Sequence, residues 1–269
     1  MTVMTVGSEF RGGTAGREQA GAAAAQLALF AALWATVGLD AVGWLTGTVY
    51  AAGTWALLAA GLRGAGRRSL GPADHVTLAR AVLVGGVTAM VAGGVAHGAP
   101  LLTGLTAVAL ALDAVDGKVA RRTGTSSALG ARFDMEVDAF LILVLSARLA
   151  FTLGPWVLVI GAMRYAFVAA AWVLPWLNAP LPPSFARKTV AALQGVVLLL
   201  ACSGLLPAGA SAGLTVLALG SLVWSFGRDV LWLWRHRPAL RSTAGPAPAG
   251  AAEADIRVLV SASAGGPAS

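Results

Sequence analysis

The fold class this sequence predicts is an all-α integral membrane protein of eight helices. Three observations predict it. Hydrophobic residues make up 57% of the 269 residues and charged residues only 12%, where a soluble domain carries about 25% charged. The apolar residues fall into runs of roughly twenty, the length that crosses a bilayer as a helix. Between the runs, basic loops alternate with uncharged ones, the pattern of a chain whose positive loops stay on one side of the membrane. The net charge of +7 and the pI of 11.0 would suggest nucleic acid in a soluble protein. With the basic residues confined to short loops between apolar runs, the expected partner is the bilayer and its anionic leaflet, and no nucleic acid is expected. The single cysteine, Cys202, lies in an apolar run, which excludes a disulfide framework and a cysteine-based metal site. The scattered His75, His97 and His236 argue against a histidine-based one.

Residues 1–20 are polar and Gly-rich and are expected to be disordered. The run from Gly21 to Leu62 holds one charge, Asp40. It is too long for a signal-peptide core of about 7–15 residues and predicts a membrane hairpin, 22–39 and 42–62, turning near Gly38–Asp40. A basic linker, 63–75, carries Arg63, Arg67 and Arg68. Pro72 and Asp74 then mark a helix start, with Asp74 placed as the N-cap. Helices over 76–95 and 101–117 follow, joined by an uncharged turn at His97–Pro100. A loop at 118–128 holds Lys118, Arg121 and Arg122, and a helix over 128–152 comes next. Three more are predicted at 155–176, 187–206 and 210–234. The Ala/Gly/Pro/Ser-rich tail, 236–269, is expected to be disordered. An even number of spans with basic loops on alternate sides puts both termini and the 118–128 loop in the cytoplasm.

Five of the 12 acidic residues crowd into the stretch Asp113–Asp138: Asp113, Asp116, Asp134, Glu136 and Asp138. Asp113 and Asp116 are three apart, and Asp134 and Asp138 four apart, so on helices each pair shares a face. Four carboxylates converging in a low-dielectric site require cations. All-oxygen ligands favour a hard divalent ion, Mg²⁺ or Mn²⁺, over zinc. Two such ions can clamp a pyrophosphate and stabilise charge as a phosphoryl bond breaks. Gly117 and Gly130 leave room beside the acids for a nucleotide to approach. Glu136 points off the Asp134/Asp138 face and is expected to be hydrated or paired with an arginine. The bland alternative for the four aspartates is a structural ion-pair network with Arg121, Arg122 and Arg132.

The spacing Asp113-x2-Asp116-Gly117-x2-Ala120-Arg121-x8-Gly130-x3-Asp134-x3-Asp138 resembles the signature of the CDP-alcohol phosphatidyltransferase family, with its eight defining positions filled. The segment from Pro72 through Asp74 and Thr77 to Arg80 is similar to that family's entry to its first core helix, with Asp74 in place of the usual Asn. The resemblance implies a six-helix transmembrane catalytic core over 76–235, with the two extra N-terminal helices of 21–62 outside it. It implies that Asp113, Asp116 and Asp134 are ligands of a two-metal Mg²⁺ or Mn²⁺ site. Asp138 would touch the second metal and act as general base. Asp113, Asp116, Gly117, Ala120, Arg121 and Gly130 would bind the nucleotide. It further implies CDP-diacylglycerol or a similar CDP-alcohol as donor, an alcohol acceptor, release of CMP, and a homodimer.

Arg164 lies inside a predicted helix, and a charge at that depth is a functional hypothesis in itself. With Arg187 and Lys188 it is expected to meet an acceptor phosphate, since many acceptors of the family are phosphorylated, glycerol 3-phosphate and inositol phosphate among them. The expected location is the cell membrane, multi-pass, with the active site facing the cytoplasm. The competing reading from another class is a cation- or proton-coupled transporter using intramembrane aspartates. Its expected marks, internal repeats and interrupted helices, are not evident in the sequence.

Overall fold

The computed structural model describes residues 14–64, 66, 71–94, 99–123, 127–182 and 184–243. Within these, the side chains of 14–15, 72, 116–123, 128 and 238–243 are left out. Among the described residues eight α-helices run in order: α1 (Thr14–Val37), α2 (Ala41–Gly64), α3 (Pro72–Ala92), α4 (Ala99–Thr123), α5 (Ala128–Leu153), α6 (Leu158–Val173), α7 (Phe185–Cys202) and α8 (Ala208–Thr243). No strand occurs among the described residues, and the chain is an all-α, multi-pass membrane protein. Six helices among the described residues are long and apolar enough to cross a membrane: α1, α2, α3, α6 with its leading turn, α7 and α8. The other two each give one end to the acidic stretch: Asp113 and Asp116 lie in the second half of α4, and the first turns of α5 carry Arg132, Asp134, Glu136 and Asp138.

Several boundaries differ from those expected. Helix α1 starts at Thr14, inside the stretch expected to lack order. Arg17, Glu18, Gln19 and Ala20 are good helix formers, and Glu18 reaches His75 at 3.5 Å, tying the start of α1 to α3. Helix α8 continues to Thr243, into the expected tail. Its extension is lined by one-turn aromatic contacts: Trp232 stacks on His236, and Arg237 lies over Trp234. Helix α4 runs on to Thr123, so Lys118, Arg121 and Arg122 belong to a helix, not to a loop. Pro155 and Pro175 turn the ends of the expected 155–176 helix into single 3-10 turns, at Pro155–Val157 and Pro175–Asn178. The remainder of the expected disordered ends (1–13 and 244–269), Arg67 and Arg68 of the linker, and the turn residues 95–98 lie outside the described residues.

Helix α3 is the centre of the assembly. Of its membrane-crossing window 72% is buried within the protein, against 17–39% for the other five candidate spans. It packs against α1, α2, α4 and α5, while α5 hands over to α6 and α7, and α7 to α8. Small residues make this crowding feasible. A Cβ on Gly85 would lie 2.6 Å from the side-chain oxygen of Gln26, so the glycine lets α1 bury a polar side chain against the middle of α3. The expected turn at Gly38–Asp40 is present. Gly38 takes φ 70°, and Asp40 accepts from the Gly43 N–H at 2.8 Å, capping α2. The one charge of the hairpin is thereby a helix cap.

The α5–α6 contact is tightest at Gly161, where a Cβ would sit 2.5 Å from the backbone Cα of Leu143. Backbone cannot move aside as a side-chain end can. Gly161→Leu must therefore separate the helices, and the expected loss is about 1–3 kcal/mol of stability. A lowered midpoint in thermal unfolding of the detergent-solubilised protein would show it, and an unchanged midpoint would contradict the packing.

Candidate active site

Helix α3 opens at Gly71, the N-cap, in extended conformation, with Pro72 in the first turn. Asp74 is not the cap itself. It is the third helical residue and accepts from the Gly71 N–H at 2.8 Å, the return half of a capping box. Less than two turns further, about 9 Å along the axis, α3 presents Arg80, whose side chain is fully buried. A buried guanidinium needs carboxylates, and among the described side chains three supply it. Its Nη1 lies 2.7 Å from Asp113 Oδ1 and 2.7 Å from Asp134 Oδ1. Its Nη2 donates to Asp138 Oδ1 at 2.5 Å and to the Asp134 carbonyl at 3.3 Å. One arginine thus joins α3 to α4 and α5.

Helical register explains why these acids meet. On α4, Asp113, Asp116, Gly117 and Ala120 occupy positions i, i+3, i+4 and i+7, a single face. This is possible because the helix continues to Thr123. On α5, Gly130, Asp134 and Asp138 are four apart and share a face in the same way. The side chains of Asp116, Gly117, Ala120 and Arg121 lie outside the described residues. Carboxylate oxygens of Asp113, Asp134 and Asp138 all lie within 4.8 Å of one another. These side chains are 41%, 29% and 40% exposed, with Arg80 at 0% beneath them. The acids therefore stand between a buried cation and the accessible face.

Gly130 sits in the first turn of α5, whose N-cap, Ser127, accepts from the Gly130 N–H at 3.0 Å. A Cβ at Gly130 would overlap the Asp74 carboxylate. This glycine is required where the starts of α3 and α5 cross. Beside it a small cavity is lined by Leu58, Asp74, Leu78, Leu129, Gly130 and Phe133. Leu58 belongs to α2, so the N-terminal hairpin reaches the edge of the site. There Leu58 and Leu62 pack with Leu78, Leu129 and Phe133.

The remaining residues separate into other groups. Glu136 pairs with Arg164 of α6, as its off-face position suggested. Arg187 binds Asp229 at 3.0 Å and the Pro182 carbonyl at 2.7 Å, and Arg228 donates to Ser184 Oγ at 2.9 Å. Lys188 is exposed. The three basic residues expected around an acceptor phosphate are thus on two helices, and both arginines have carboxylate partners. The residue whose importance was not drawn from the sequence is Arg80. Its signal was available, a lone charge deep in an apolar run, but nothing local says which acids it meets.

The sequence model of the CDP-alcohol phosphatidyltransferase family matches residues 71–224. The chain belongs to this family. The match starts at the α3 cap and ends within α8, so it contains Arg80, Asp113, Asp116, Asp134 and Asp138 and leaves α1 and α2 outside. No curated protein and no solved structure matches the chain. The donor set fits the divalent metal the family uses. It is all oxygen and anionic, as Mg²⁺ or Mn²⁺ prefers. Oxygens across one Mg²⁺ are at most about 4.2 Å apart, and these three lie within 4.8 Å of one another.

Proposed function

We propose that this membrane enzyme transfers a phosphatidyl or similar substituted phosphate group from a CDP-alcohol, such as CDP-diacylglycerol, to an alcohol acceptor, releasing CMP in phospholipid synthesis. The observation that carries the reading is the meeting of Asp113, Asp134 and Asp138 on one accessible face within the family's matched region. Asp113, Asp116 and Asp134 hold divalent metal, which when bound neutralises the pyrophosphate and polarises the acceptor hydroxyl. Asp138 accepts the proton of that hydroxyl as it attacks the phosphorus. Gly117, Ala120, Arg121 and Gly130 line the place of the nucleotide. The face bearing the acids lies towards the cytoplasm of a cell membrane, by the distribution of basic loops, where a soluble nucleotide can leave. Arg164, Arg187 and Lys188 receive an acceptor phosphate, which displaces Glu136 and Asp229 from the arginines. The working form is a homodimer, as in the family.

The test is CMP release by purified protein given CDP-diacylglycerol, Mn²⁺ or Mg²⁺, and in turn glycerol 3-phosphate, inositol phosphate, free inositol and serine. The expected result is release that requires both metal and acceptor, and is faster with a phosphorylated acceptor. No CMP with any of them would refute the transferase reading. A preference for free inositol or serine would refute only the phosphate pocket.

A further inference from the structure

The acids of this site are already held by a cation. Among the described side chains, Asp113, Asp134 and Asp138 carry three negative charges, and a guanidinium that touches all three, Arg80, carries one positive charge. Arg80 is fully buried while the acids are accessible. It therefore approaches from the protein side and leaves the other side to metal. It offsets the like-charge repulsion that the carboxylates of α4 and α5 exert on one another when metal leaves.

We propose that Arg80 is a positioning residue that serves as the resident counter-cation of the site. It keeps the carboxylates assembled between turnovers and holds metal affinity low enough for metal to exchange with the nucleotide. The inference rests on the metal reading above but makes a separate claim, because it fixes the sign of an effect. A purely structural arginine, once removed, would leave a damaged site that binds metal more weakly. A counter-cation, once removed, leaves a more negative set of acids that binds metal more tightly and depends on it more to stay folded. Removing one positive charge a few ångströms from a divalent ion is worth on the order of tenfold in affinity.

The experiment compares Arg80→Met and Arg80→Lys with the unaltered full chain in detergent, in the absence of any nucleotide. Mn²⁺ binding is measured by electron paramagnetic resonance, and thermal unfolding is followed with Mn²⁺ and with chelator. In Arg80→Met, Mn²⁺ is expected to bind roughly tenfold more tightly and to raise the unfolding midpoint by more than in the unaltered protein. Arg80→Lys, which keeps the charge but not the three-way bridge, should retain the original Mn²⁺ affinity while CMP release falls. Weaker or unchanged Mn²⁺ binding in Arg80→Met would overturn the proposal. So would tighter binding in Arg80→Met matched by equally tight binding in Arg80→Lys. Should Arg80→Met not be recovered folded, Arg80→Met/Asp113→Asn, which removes one charge of each sign, carries the test. Folding of the double variant supports the counter-cation role, and its failure to fold overturns it. If the unaltered protein itself binds no Mn²⁺, the metal reading falls and not merely the role of Arg80.

Discussion

Replacing Asp138 with Asn is expected to lower CMP release by about 10²–10⁴-fold, the contribution of a positioned general base. The change is nearly isosteric. The Asn side-chain oxygen can still accept from Arg80 Nη2, which Asp138 Oδ1 meets at 2.5 Å, so the fold should survive and the unfolding midpoint should move little. The lost function is acceptance of a proton, and an amide cannot supply it. Glu136→Gln provides the contrast. Glu136 is two residues away, but it lies off the Asp134/Asp138 face and is paired with Arg164. A partly exposed pair of this kind is worth about 0–1 kcal/mol, so release should fall only a few-fold at most. Steady-state CMP release by the two variants, with circular dichroism to verify folding, decides the matter. Asp138→Asn with a tenth or more of the original activity would remove it from the base role. An equal loss in Glu136→Gln would show that charge in the region matters and position does not.

That contrast was open to sequence reasoning because it depends only on register along a single helix. The spacings 113/116 and 134/138 and the oddity of Glu136 all follow from 3.6 residues per turn. The membrane class followed as directly, from apolar runs and basic loops. What could not be read was which residue of a third helix meets the acids. Arginines 121, 122 and 132 are nearer in sequence and were the natural candidates for pairing. The arginine that meets Asp113, Asp134 and Asp138 is 33 to 58 residues away, on α3. Tertiary packing set that, through a centre of small residues that lets α3 be buried on nearly all sides. Helix ends differ from those expected where polar residues extend a helix beyond its apolar run, as at Thr14 and Thr123. Hydropathy marks where a chain leaves the membrane, and side-chain contacts and caps mark where the helix stops.

Gly130→Ala should act in two separable ways. The added methyl would overlap the Asp74 carboxylate and come within 3.0 Å of Ser127 Oγ. Asp74 is not free to yield without loss, since it accepts from the Gly71 N–H at 2.8 Å and secures the start of α3. The first effect is therefore on stability: Asp74 swings out and forfeits about 1 kcal/mol of capping, or α5 shifts away from α3. The second effect is on binding. If the Gly130 face lines the nucleotide, the methyl also occupies space that the CDP moiety needs, and the KM for CDP-diacylglycerol should rise roughly tenfold or more, the scale of a few kcal/mol of overpacking. Asp74→Ala separates the two. In that background the carboxylate is gone, so Gly130→Ala should cost no further stability, and the unfolding midpoint of the double variant should match that of Asp74→Ala alone. The rise in KM should persist, because nucleotide and methyl still compete for one place. If removal of Asp74 restores KM as well, Gly130 is a helix-crossing glycine only, and the nucleotide lies elsewhere. If the double variant is less stable than Asp74→Ala, the clash is with the α5 turn at Ser127, and the starts of α3 and α5 are not coupled through Asp74.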